Sequence, residues 1–297
     1  MKPASFDYAS PHTASEAVAL LAAGGGEAKV LAGGQSLFPL LSMRLARPAL
    51  LVDLGRVEGL DYIREEAGGL AIGAMTTKRS VERSPLVRAQ QPLLHAATLL
   101  IGHPQIRNRG TVGGSFAHAD PAAEYPAVGV AQGARLRVLG PDGERTFAAA
   151  DFFVGPLTTA LGPADVLLEV RFPAFAKGTG WSFQEVARRA GDFALAGAAA
   201  TLRLDRRGRV DEARLVLFGV GATALRAREA EDALAGERPE APALRAAALR
   251  AAVALEEPLS DLHAAGEFRR HLAGVLARRA LEEALARAGT PGTEVDA

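Results

Sequence analysis

Cysteine is missing from the whole of this 297-residue chain. That excludes a disulfide, a thiolate metal site, an iron–sulfur cluster and a cysteine nucleophile within it. An excess of charge is missing too: 34 basic residues face 34 acidic ones. A nucleic-acid binder needs a basic surplus, so nucleic acid is not expected as a partner. No apolar run approaches the ~20 residues of a membrane span, and Met1–Asp7 shows no signal-peptide pattern. A soluble, cytoplasmic protein is expected, without an integral membrane segment. The six histidines never fall at the i, i+4 spacing of a helical metal pair, so no metal site is expected. Neither a G-x-G-x-x-G turn nor a P-loop occurs where a phosphate would need one, and no repeat of solenoid length is present. Aromatic residues are scarce, at 5%, whereas apolar residues as a whole reach 48%, enough for two or three cores.

What the chain does carry is glycine, in two telling pairs: Ala32-Gly33-Gly34-Gln35-Ser36 and Thr111-Val112-Gly113-Gly114-Ser115. Each follows a short apolar or β-branched run and precedes a helix-competent stretch. Glycine lacks Cβ, so a ligand can approach the backbone closely. Successive amides in such a loop form an anion-binding concavity, and serine adds a hydroxyl. One Gly-Gly is usually just a turn. Two such loops from distant parts of one chain could grip a diphosphate from both sides, which points to a dinucleotide.

The surrounding pattern reads as follows. Thr13–Glu16 forms a capping box for a helix stopped by Gly24-Gly25-Gly26. Lys29–Ala32 and Leu50–Leu54 read as strands, and Ser36 as the N-cap of a helix over Leu37–Leu45. Together they suggest a small β-α-β-α-β unit. Asp120-Pro121 reads as a helix start. Pro141-Asp142-Gly143 reads as a hairpin turn between strands. Leu167–Phe172 closes this second region. Ser182–Ala187, Ala194–Leu204 and Ala213–Val220 read as an antiparallel meander, followed by helices, the last over about Glu267–Ala288. The expected domains are 1–55, 56–176 and 177–289, with 290–297 a frayed tail. The expected fold class is α+β: two small α/β subdomains, then a three-stranded antiparallel sheet with a helical bundle.

Taken together, several motifs resemble one family: the FAD-binding medium subunit of molybdenum hydroxylases, which includes the flavoprotein subunits of carbon monoxide and xanthine dehydrogenases. They are Phe6-Asp7-Tyr8, Ala32–Leu37, Val52-Asp53-Leu54, Ile72-Gly73-Ala74, Ile106–Ser115, Asp120-Pro121 and Ala187–Phe193. They run in the family's order over most of the chain. The resemblance implies a PCMH-type FAD fold holding FAD non-covalently. It implies a first FAD loop of Lys29, Leu31, Ala32, Gly33, Gly34, Gln35, Ser36 and Leu37. The second would be Ile106, Gly110, Thr111, Gly113, Gly114 and Ser115. Ile101 and Gly102 would lie near the adenosine half, Glu124 and His118 near the ribityl chain, and Leu161 and Leu167 near a ring. Gln184 falls where some relatives have a lysine near the isoalloxazine, and Phe193 where others carry tyrosine over the flavin.

The same resemblance implies an electron-transfer subunit without catalytic side chains of its own. Its partners would be a molybdenum-containing large subunit and an iron–sulfur small subunit, in a dimer of heterotrimers. The molybdenum cofactor and 2Fe–2S clusters would sit on those partners, a division that the missing cysteine suits. A peripheral place at the inner membrane face stays open. So do the substrate (carbon monoxide, an aldehyde, a purine or an N-heterocycle) and the acceptor (quinone, NAD or oxygen). Two rival readings remain: a stand-alone FAD-dependent reductase of the same fold, for which no catalytic acid or nicotinamide motif is evident, and a non-redox scaffold protein, which would be colourless.

Overall fold

A computed structural model describes residues 2–289; the expected frayed tail lies outside them. The first unit comprises β1 (Asp7–Ala9), α1 (Ala14–Ala23), β2 (Ala28–Leu31), α2 (Leu37–Ser42) and β3 (Leu50–Asp53). The three strands form a parallel sheet in the order β1-β3-β2, as a βαβαβ chain requires. Thr13 and Glu16 make the expected capping box on α1. The Tyr8 hydroxyl donates to Asp53 at 2.6 Å, and Asp53 also caps the turn after β3 by accepting from the Gly55 amide. α2 is shorter than expected, ending at Ser42 rather than Leu45. Met43 closes it, and Arg44 turns into the left-handed region at φ 58°.

The second unit opens with β4 (Ile63–Glu66) and β5 (Gly69–Gly73). Six helices follow: α3 (Lys78–Arg83), α4 (Pro85–Gln90), α5 (Pro92–Leu100), α6 (Pro104–Arg109), α7 (Val112–His118) and α8 (Glu124–Gln132). β6 (Arg135–Gly140) and β7 (Gly143–Ala148) form the predicted hairpin around Pro141-Asp142, with Gly143 at φ 108°. α9 (Ala149–Phe152), β8 (Phe153–Gly155), β9 (Thr158–Thr159) and β10 (Val166–Pro173) complete it. The resulting five-stranded sheet, β4-β5-β10-β6-β7, is antiparallel throughout. Helix α8 is buried along its whole length. It packs among Phe116, Phe152 and Phe172 in the largest core. β10 serves two cores, since Val166 and Leu168 pack with the first unit while Leu167, Val170 and Phe172 pack with the second.

The remainder holds β11 (Gly180–Ala187), β12 (Ala194–Leu204), β13 (Val210–Phe218), β14 (Leu225–Arg226), α10 (Arg228–Leu234), α11 (Ala241–Val253) and α12 (Gly266–Arg287). The three long strands form the expected meander, and the two-residue β14 adds a fourth at its edge. Period-two alternation gives this sheet two different faces. Ala198, Ala200, Leu215 and Leu217 pack with α10, α11 and α12. Phe183, Ala199, Val216 and Phe218 join the core of the second unit. Among the described residues, no helix is long and apolar enough to cross a membrane, and no cluster of three metal-ligating side chains occurs.

Candidate cofactor site

The two glycine loops meet backbone to backbone. A Cβ at Gly33 would penetrate the Arg109 carbonyl and stand 2.8 Å from the Gly110 Cα. Gly114 faces the Ala32 side chain across the same junction, where an added Cβ would lie at 3.6 Å. Glycine at 33 therefore lets the first loop press on the second.

Their amides are used differently. Among the described residues, the amides of Gly33, Gly34, Gln35, Ser36 and Leu37 donate to no protein acceptor. Gly34 stands at φ 72°, and the Gln35 side-chain amide donates back to the Gly33 carbonyl at 3.0 Å, bracing the loop. Ser36 occupies the N-cap position of α2, but its hydroxyl makes no capping bond. Five consecutive free donors at a glycine-built bend form an anion hollow.

The second loop is not a matching hollow. It follows a helix, α6, rather than a strand, and its glycines lie in the first turn of α7. The Val112 and Gly113 amides donate to the Thr76 and Ala74 carbonyls at 2.9 and 2.8 Å. The Gly114 amide goes to the Thr111 hydroxyl, and the Ser115 amide to the Thr111 carbonyl. Gly113 is set by packing, since a Cβ there would lie 2.8 Å from the Ala74 carbonyl oxygen. This loop is thus a wall against which the first is held.

Charged side chains gather beside that wall. Lys78 begins α3, and its backbone amide donates to the Gly110 carbonyl at 2.8 Å. Its ammonium stands 5.3 Å from the centre of the Tyr125 ring. Burial lowers the Lys78 pKa, partly opposed by Glu124. Glu124 opens α8, is only 7% exposed and meets no side-chain donor among the described residues. Burial raises its pKa against the pull of Lys78. His118 ends α7; burial lowers its pKa, with Asp120 opposing and Lys29 and Lys78 adding to the fall. Lys29, Lys78 and Asp120 are thus within electrostatic reach of His118, and Lys78 and Asp120 within reach of Glu124.

Asp120 is not the expected helix cap. It accepts from the Ala122 amide at 2.8 Å in a turn, and α8 begins only at Glu124. This turn ties the third sheet to the site, because the Gly219 amide donates to the Pro121 carbonyl.

Other expected site residues are placed apart. Gln184 turns to the helical face of the third sheet and donates to Glu283 of α12 at 2.5 Å. The next residue, Glu185, takes the opposite face and feels the charge of Glu124. Leu167 is buried in the main core, and Leu161 packs against it. Ile101 is buried and Ile106 half-buried. The Ile101 and Gly102 carbonyls accept from Arg107 at 3.0 and 3.1 Å. Arg107 also grips Glu82 at 2.9 Å, so it is a structural clamp. Phe193 is 67% exposed on the β11–β12 turn, whose Gly191 packs on Gly102 and His103. Arg188 meets His263 at 3.0 Å. Sequence reasoning missed Lys78 and Glu185. A lone lysine after Thr76-Thr77 carries no local signal, and Glu185 needed only the strand phase to be read one residue further.

These features fit a flavin dinucleotide. Free amides suit its diphosphate, and the buried carboxyl of Glu124, which meets no side-chain donor among the described residues, suits its hydroxyls.

Comparison with known proteins follows the same line. Residues 4–175 match the family model for the FAD binding domain in molybdopterin dehydrogenase. Residues 181–284 match that for the CO dehydrogenase flavoprotein C-terminal domain. The carbon monoxide dehydrogenase medium chain of Hydrogenophaga pseudoflava is 42% identical, over 97% of this chain and 99% of that one. The alpha subunit of the 6-hydroxypseudooxynicotine dehydrogenase complex of Paenarthrobacter nicotinovorans is 41% identical, over 97% of each. A solved carbon monoxide dehydrogenase from H. pseudoflava superposes with a TM-score of 0.94 at 44% identity, covering 97% of this chain and all of that one. Quinoline 2-oxidoreductase of Pseudomonas putida 86 gives 0.90 at 38% identity, covering 96% and 99%.

Proposed function

Since the chain belongs to the FAD-binding flavoprotein family of the molybdopterin dehydrogenases, we propose that it is the electron-carrying subunit of a multi-chain molybdenum hydroxylase. It is an oxidoreductase subunit, and FAD is its cofactor. When bound, FAD supplies the redox chemistry, accepting electrons from iron–sulfur clusters on a partner chain and delivering them to an external acceptor. The protein's own part is grip and environment. The amides of 33–37 hold the diphosphate, Gly33 seats that loop on Arg109–Gly110, and Lys78, His118 and Glu124 line the neighbouring wall. The observation that carries the reading is the row of five unpartnered amides at the junction of the two glycine loops.

The absence of cysteine excludes such clusters from this chain, which supports their lying on a partner. The substrate would likewise be handled by a partner. Relatives named as chains of carbon monoxide dehydrogenase, nicotine 6-hydroxylase, caffeine dehydrogenase and glyceraldehyde dehydrogenase match this chain at 32–42% identity, which supports a subunit that does not select among substrates. A dimer of heterotrimers is the assembly proposed. Affinity purification of the tagged chain from its native cells tests the proposal. The expected eluate is yellow-brown and contains FAD, molybdenum, iron and two further chains. A flavin-bearing chain that elutes alone and reduces its flavin with a nicotinamide donor would overturn it in favour of a stand-alone reductase.

A further inference from the structure

Lys78 stands at the site without an assigned task. Its backbone amide donates to the Gly110 carbonyl at 2.8 Å, and Thr77 pairs with Thr111 in a single antiparallel bridge. The start of α3 is thereby pinned to the second glycine loop. The lysine side chain then runs along the open side of Gly110. A Cβ built on Gly110 would stand 3.5 Å from the Lys78 Cδ and 3.6 Å from its Cε, which are ordinary contact distances. Gly110 is also the residue on which Gly33 is seated. Gly33 and Lys78 thus share one neighbour, and the row of free amides starts at Gly33.

The stem ends in an ammonium that has no anion. The ion pairs of α3 belong to Arg79 and Glu82. Among the described residues, the Lys78 side chain has no ion pair and donates no hydrogen bond. It stands 5.3 Å from the centre of the Tyr125 ring, whose face is a weak partner for a cation. Burial opposes the charge, and Glu124 eases it only from beyond ion-pair distance. A cation drawn out of water without an anion is costly. The other cations nearby are placed differently. Arg107 spends its donors on Glu82 and two carbonyls, while Lys29 and Arg109 are exposed.

We propose that Lys78 supplies the positive charge of the cofactor site, its ammonium meeting the diphosphate held by the amides of Gly33–Leu37. This rests on the FAD reading above. The amides offer only partial charges, whereas a diphosphate carries full ones. A hydrogen bond between an ammonium and an ionised oxygen is roughly twice as strong as a neutral one. The contact therefore satisfies both groups: the diphosphate gains a counter-charge, and the lysine gains the anion that the protein withholds.

Fluorescence titration of the full chain with FAD, and phosphorus NMR of the bound cofactor at saturation, test this. Wild type is compared with Lys78→Met and with Lys177→Met, an exposed lysine on the loop between β10 and β11. Lys78→Met should weaken the Kd by about tenfold or more, as expected for losing a hydrogen bond to a charged group. It should also shift a diphosphate resonance, and Lys177→Met should do neither. An unchanged Kd, or unmoved resonances, in Lys78→Met would overturn the inference and leave the FAD site intact. No binding of FAD to wild type would overturn the site and the inference together. A second measurement needs no variant, and decides the matter if Lys78→Met fails to fold or to bind. Wild type is acetylated with acetic anhydride, and the modified lysines, four in the chain, are counted by mass spectrometry. FAD and saturating ADP, which carries the diphosphate without the flavin, should each slow acetylation of Lys78 several-fold relative to Lys177. Equal acetylation with and without FAD, or protection by FAD with none by ADP, would overturn the proposal.

Discussion

At the scale of single residues, the two glycine pairs separate. Gly33 has backbone on top of it, and backbone cannot step aside. Gly33→Ala should therefore force the loops apart, at the ~1–3 kcal/mol typical of overpacking, and cut FAD retention tenfold or more. Gly114→Ala meets the Thr111 hydroxyl, which can rotate, so it should cost only about the ~1 kcal/mol of a weakened cap. The flavin-to-protein absorbance ratio of the purified variants checks this; equal losses would contradict the assignment of different roles. Sequence alone could not rank these glycines, because the difference lies in what stands opposite each one. It did locate both. The same limit explains Gln184: the strand was legible, but which of its faces meets the second unit depends on packing from far away in the chain. Asp120 and Arg107 show the complementary failure. The type of Asp120 suggested a helix cap and that of Arg107 a solvated surface, while tertiary partners gave one a turn and the other a buried clamp.

At the scale of elements, local signals were strongest where they are self-contained. The capping box of α1, the Pro141-Asp142 hairpin and the three long strands of the meander need no distant partner to be read. The run before Gly113-Gly114 was harder. Pro104 at the start of α6 and Gly110 at its end make a helix from a stretch whose Ile and Arg residues do not declare one. Arg107 then fastens α6 to α3 through Glu82, and to the Ile101-Gly102 backbone. Removing that fork strands part of the Glu82 charge, although Arg79 still pairs with it at 2.9 Å. Arg107→Ala should thus destabilise the fold by roughly 2–4 kcal/mol, near the range for breaking a buried pair. Arg107→Lys should recover little, since an ammonium cannot make the planar fork. Urea unfolding measures both. A loss below ~0.5 kcal/mol for Arg107→Ala would show that the clamp does not hold these elements.

At the scale of the whole molecule, the second and third sheets meet around α8, and the glycine-loop junction lies where the first unit meets the second. β2 leads into the free amides, and α3, α7 and α8 bring the charged wall. Composition had pointed to more than one core and excluded iron–sulfur clusters from this chain, and the family resemblance implied them on partners. It could not show that β10 is shared by two cores or that the third sheet lends a face to the second unit. Those facts arise from long-range packing, and they explain why a cofactor here would join the parts of the chain. The most direct test is a crystal structure of the chain grown with saturating FAD. The account predicts the diphosphate within hydrogen-bonding distance of the amides of Gly33–Leu37, with the Gly113 and Gly114 amides still bound to Ala74 and Thr111. A diphosphate seated elsewhere, with the 33–37 amides facing only water, would contradict it.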